Sequence, residues 1–148
     1  MTNELTICDI KPITEKQNKI LLNGFDKMRS LNCQNNVDND NILNTNHFLH
    51  AGCYVRTCLV KQGGMIGSAL IKVPTVVIVS GCIVASNGED RTVYSGYKIL
   101  KGSAFRRAVW CALEDTYITM FFATNAKNVA DATKEFTDEW ESLLQAEE

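Results

Sequence analysis

The chain has 148 residues, 45% of them hydrophobic and 22% charged, with a formal net charge of −2. That is the composition of one soluble globular domain large enough to bury a core, and not of a general nucleic-acid binder, which carries a strongly basic face. No apolar run reaches the length of a membrane span, and the polar start Met1-Thr2-Asn3-Glu4 does not read as a signal peptide.

Along the chain, Thr14 to Leu31 places Leu21, Phe25 and Met28 on one face, with Thr14 as N-cap, and predicts an amphipathic helix. Cys33 to Asn46 is dense in Asn and Asp, whose side chains compete for backbone hydrogen bonds and favour loops. The alternation there of Asp38 and Asp40 with amides hints at a calcium loop, but the glycine and terminal glutamate of an EF-hand are missing. Short β-prone runs come next: Cys53–Val60, Met65–Lys72, Thr75–Val79 and Cys82–Ser86. Asn87-Gly88 then reads as a tight hairpin turn. Thr92–Tyr94, Tyr97–Leu100, Arg106–Leu113 and Thr116–Phe122 complete about eight strands, and their regular spacing predicts one antiparallel barrel or jelly roll. Asn125 to Leu144 reads as a second helix, with Phe136 and Trp140 as its large apolar side chains. The organisation expected is a helical extension with an Asn/Asp-rich loop over 1–46, a barrel over 47–124 and a terminal helix over 125–148, all in one globular unit.

Little in this chain supports metal or nucleophile chemistry. Its only two histidines, His47 and His50, lie ahead of the first clear strand, and no carboxylate or thiolate stands at a ligand spacing from them. The six cysteines form no Cys-x-x-Cys pair and sit mostly in apolar strands, so they read as reduced core residues; Cys53 and Cys58, an odd number apart, face opposite sides of a strand. Neither histidine is tied by a motif to a serine or cysteine, and Glu89, Asp90, Glu114 and Asp115 fall in turns. No cofactor is expected.

The order of several strings resembles the cupin superfamily, and within it the small cupin-like proteins of tailed bacteriophages. Those strings are His47-Phe48-Leu49-His50-Ala51-Gly52-Cys53-Tyr54-Val55-Arg56, Gly67 to Pro74, Ile78-Val79-Ser80-Gly81, Arg106-Arg107-Ala108 and Leu113-Glu114-Asp115-Thr116. The resemblance spans about half the chain. It implies a mainly β, double-stranded β-helix (jelly-roll) barrel with flanking N- and C-terminal helices, a homo-oligomer, and action in the cytoplasm of an infected host. It also implies that Lys72 points into the barrel. Where the family places histidines after its glycine, this chain has Leu70 and Lys72, which argues for a metal-free member.

Cationic binding is the chemistry that remains. Arg56 and Arg106 occupy strand positions where alternation can aim them inward, and Trp110 shares the face of Arg106. Charge beside an aromatic surface suits a phosphate, a carboxylate or a base. The ligand-binding set expected is therefore Arg56, Lys72, Tyr97, Arg106 and Trp110, with no catalytic and no metal residue. The leading function is non-enzymatic binding of a small anion, a nucleotide among them, with sequestration of a host nucleotide immune signal as its biological sense. Two other readings stand beside it: a virion or assembly oligomer, and a metal-independent isomerase or lyase using Lys72.

Overall fold

The computed structural model describes residues 7–30 and 43–145. The Asn/Asp-rich stretch lies largely outside them, as do Cys33 and the candidate calcium loop. In chain order the elements are β1 (Ile7–Ile10), α1 (Glu15–Ser30), β2 (Leu43–His50), β3 (Cys53–Val60), β4 (Met65–Gly67) and β5 (Thr75–Ser86). They continue with β6 (Arg91–Gly102), β7 (Val109–Ala112), β8 (Thr116–Ala123), α2 (Val129–Phe136) and α3 (Trp140–Gln145). The strands form one sheet in the order β1-β6-β5-β8-β3-β2, from which β7 branches off β5 and carries β4. Among the described strands only β1 pairs in parallel, with β6.

The branch depends on β5 changing partners. Val76–Ser80 pair with β8 and Ile83–Ser86 with β7, while β6 runs along the whole opposite edge. The change falls at Gly81, whose φ of 143° few side-chain-bearing residues adopt. A Cβ there would lie 2.5 Å from Thr116 Oγ1 and 2.8 Å from the Asp115 carbonyl oxygen. The buried Thr116 hydroxyl accepts the Cys82 N–H at 3.1 Å, with the Cys82 and Glu114 carbonyl oxygens at 3.1 and 2.8 Å to take its proton. The Leu113 and Glu114 N–H groups also donate to the Cys82 carbonyl, and Asp115 Oδ1 accepts the Gln62 N–H at 2.9 Å. The string Leu113 to Thr116 is thus a structural clasp joining the β7–β8 turn to the bend and to the β3–β4 turn.

One face of the sheet is the core: Val77, Val79, Leu100, Met120, Phe122, Tyr54 and Val60 are buried there, with Ile83, Tyr94 and Trp110 continuing it beyond the bend. Thr14 and Gln17 exchange side-chain-to-backbone hydrogen bonds at the start of α1, a capping box. Its Leu21 is buried, its Phe25 ring covers Gly67, and its Ile20 sits over Gly88. Among the described residues Cys8, Cys53, Cys58, Cys82 and Cys111 are free thiols.

Several expectations are corrected. The sheet is not a closed barrel, because its terminal strands β1 and β2 are not bonded to each other. The open side is filled instead by Phe136 of α2, which packs on Tyr54 and Phe122. The runs on either side of Gly81, and those on either side of Gly96, are single long strands, because the glycines bend these strands without ending their ladders. His47 and His50 lie in β2 rather than ahead of the strands. The Asn87 turn is a four-residue loop in which Asn87 Oδ1 accepts the Glu89 and Asp90 N–H groups at 2.9 and 2.8 Å. The terminal helix is two helices, parted at Thr137, which is extended at φ −152° and ψ 147°.

Replacing Gly81 with Ala should cost about 2–4 kcal/mol in urea denaturation, from strain plus overpacking. Gly96→Ala, at φ 82° with nothing within 4 Å of its Cβ, should cost only about 1–2 kcal/mol. Equal costs at the two sites would mean that the Thr116 contact does not set the bend.

Candidate functional site

Strand register carries Arg56 onto the core face. Leu100, Val77, Met120, Arg56 and His47 form one row across β6, β5, β8, β3 and β2. Beside that row lies a cavity of about 150 Å³. Arg56, Cys58, Ile118 and Met120 line it from β3 and β8; Ile66, Ser68, Ala69 and Ile71 line it from β4 and the segment after it. Arg106, Arg107 and Trp110 form a further wall, while Phe136 of α2 and Leu143 of α3 cover it. The lining is overwhelmingly apolar apart from its arginines and Ser68.

Arg106 is the unusual member, only 5% exposed. Its guanidinium lies over Gly102, where a Cβ would come within 2.6 Å of Cζ. Nη1 donates to the Ser103 carbonyl at 2.9 Å and Nη2 to Thr75 Oγ1 at 2.5 Å. No carboxylate among the described residues pairs with it. Burial alone pulls its pKa down to about 10, which still leaves a cation at neutral pH.

Arg107 is also buried and forms an ion pair with Glu139 from the α2–α3 connection. Its Nε is buried without an acceptor. The same Glu139 oxygen accepts the Leu70 N–H at 3.2 Å. Arg56 donates to Tyr54 Oη at 3.2 Å, and that oxygen lies 2.9 Å from His47 Nδ1. Tyr54 is wholly buried, its ring against Phe122 and Phe136. Burial pushes the Cys58 thiol up to about 11, against the pull of Arg56 and a hydrogen bond with the Ile118 backbone, so it stays protonated and inert.

Of the residues expected to bind, the structure brings together Arg56, Arg106 and Trp110. Lys72 does not join them: its Nζ pairs with Asp138 at 2.7 Å on the rim, and the neighbouring Ile71 faces the cavity. Tyr97 is on the opposite, solvent-facing side of β6, half exposed. Arg107 was not expected, because alternation along a strand from Arg106 assigns it outward. The strand begins only at Val109, after Phe105 takes a positive φ of 58°, so alternation does not hold across the arginine pair. Among the described residues no three His, Cys, Asp or Glu side chains converge on a metal position. No helix among them is long and apolar enough to cross a membrane.

No protein-family model matches the chain, and no curated protein matches it by sequence. Its solved structural neighbours include cupins. A cupin superfamily protein of Desulfitobacterium hafniense is 9% identical, with 57% of this chain and 80% of that one covered and a TM-score of 0.47. A cupin-2 domain protein of Shewanella frigidimarina is 12% identical over 62% and 98%, at 0.45. The cupin-2 domain of a transcriptional regulator from Enterobacter cloacae is 8% identical over 56% and 98%, at 0.46.

Phe136 is both core and cavity wall, so Phe136→Ala should cost about 3–5 kcal/mol in urea denaturation. A cost under about 1 kcal/mol would mean that α2 is a loosely attached cover.

Proposed function

We propose that this chain binds a small organic anion with an apolar body, holding it in the cavity without metal and without chemistry. The observation that carries the reading is Arg106: a buried cation with no carboxylate partner among the described residues, set in the wall of a space whose other lining is apolar but for Arg56, Arg107 and Ser68. Burying a guanidinium costs free energy that hydroxyl and carbonyl dipoles offset only in part. An anionic ligand would supply the missing charge, and the apolar walls would take its body.

Size narrows the ligand. A cavity of about 150 Å³ takes a ring or short chain of about six heavy atoms. A whole nucleotide asks for several hundred Å³, so it would enter only with α3 displaced. Removal of a host nucleotide signal in phage infection is therefore the more demanding form of the same idea, and a small aromatic or aliphatic carboxylate is the simpler one. Glu139 fits this reading as a tethered carboxylate already resting on Arg107, which an incoming acid must share or replace.

A thermal-shift series with benzoate, hexanoate, neutral benzamide and adenosine monophosphate tests the proposal. The two acids should raise the melting temperature with the logarithm of their concentration, and benzamide should not. Arg106→Met should weaken benzoate binding by about 1.5–3 kcal/mol, while the free variant melts at the parental temperature or above it. Glu139→Gln should move binding the other way, tightening benzoate while loosening the cover. Benzamide acting as strongly as benzoate, or an undiminished benzoate response in Arg106→Met, would sink the anion reading.

A further inference from the structure

Arg106 and Arg107 are neighbours in the chain, yet both are buried and both line the cavity. In a regular strand they would face opposite sides. Phe105, held at a positive φ of 58°, takes the chain out of extended geometry just before them and lets both side chains enter one wall. The two guanidinium groups are then left in different states. Arg106 has its hydrogen bonds to Ser103 and Thr75 but no counter-charge among the described residues. Arg107 is the reverse: Glu139 balances its charge through Nη2, while its buried Nε–H has no acceptor among the described residues. Ser68, beside it in the wall, cannot serve. Its hydroxyl already accepts the Ala108 N–H at 3.0 Å and donates to the Ala69 carbonyl at 3.1 Å. A buried donor left without an acceptor is costly, and folded proteins keep few of them.

Resting on the anion reading above, we infer that the ligand is a hydroxy or oxo acid, its carboxylate answering Arg106 and its second, uncharged oxygen accepting the Arg107 Nε–H. Two observations select a neutral oxygen there over a second negative charge. Glu139 already neutralises Arg107, so a further carboxylate would be buried beside a like charge. A carboxylate also grips an arginine through two N–H groups together, and the Nη2 beside Nε is bonded to Glu139. One N–H remains, which suits a single hydroxyl or carbonyl oxygen.

Calorimetric titration of the full chain compares ortho-, meta- and para-hydroxybenzoate with the methylbenzoate of the same substitution, which matches each in size but offers no oxygen. One hydroxybenzoate should bind about tenfold tighter than its methyl partner, or more. Arg107→Lys puts a methylene where Nε stands and keeps a cation for Glu139, so in that variant the preference for hydroxyl over methyl should vanish. In Arg106→Met both members of the pair should weaken and the preference between them should persist. If benzoate binds the parent and no hydroxybenzoate outdoes its methyl partner, the second oxygen is refuted while the anion reading stands. If none of the acids binds, both fall together. A hydroxyl preference that survives in Arg107→Lys would also overturn the inference, by placing the donor elsewhere. The comparison in the parent needs no variant, so it decides the matter even where Arg107→Lys fails to fold.

Discussion

β5 has two neighbours to serve along one edge, and a straight strand cannot serve both. Up to Ser80 its ladder belongs to β8; from Ile83 it belongs to β7. Gly81 allows the turn between these halves because Thr116 and the Asp115 backbone fill the space a side chain would need. The rest of the site follows from that bend. It sends β7 away from β8, so the segment leading into β7 crosses to the far side of the core and faces Arg56 across the cavity. Without the bend, Arg106, Arg107 and Trp110 would lie along the same sheet layer as Arg56 and enclose nothing.

Arg106 shows what the site costs the fold. Gly102 gives up its side chain to make room for the guanidinium, and Thr75 and Ser103 give it hydrogen bonds but no charge. A methionine of similar length would fill the same space without the desolvation penalty. A protein selected for stability alone has no reason to keep a cation there. Arg107 differs, since Glu139 neutralises it and ties the α2–α3 connection to the sheet. One arginine holds the cover, and the other is held by hydroxyl and carbonyl oxygens alone.

Much of the fold could be read from the residues, because alternation and glycine punctuation are local signals. The helix over Glu15–Ser30, the strand over Cys53–Val60 and the strand over Thr116–Ala123 fall where periodicity places them. Arg56, Arg106 and Trp110 could be found for the same reason: each is an inward residue by simple alternation or near it. What could not be read depends on tertiary neighbours. β1 has only four residues and exists because β6 offers it an edge. Gly81 and Gly96 look like strand ends in the sequence, yet both lie inside ladders that continue past them. Lys72 was misplaced because its position depends on Asp138, 66 residues away in the chain. Arg107 was missed because the chain leaves extended geometry just before β7.

Phe136 has a consequence for timing. Its ring rests on Tyr54 and Phe122 in the core, and its carbonyl accepts the Lys72 N–H at 2.8 Å. The part of the cavity wall that α2 supplies therefore does not move independently of the sheet. Any path that lifts α2 away must first break aromatic packing shared with the sheet. Exchange by that path would be paced by a unimolecular opening step, saturating as solute concentration rises instead of climbing with it. By that path a guest would leave slowly even if its affinity were modest, so residence time and affinity would be set by different parts of the molecule.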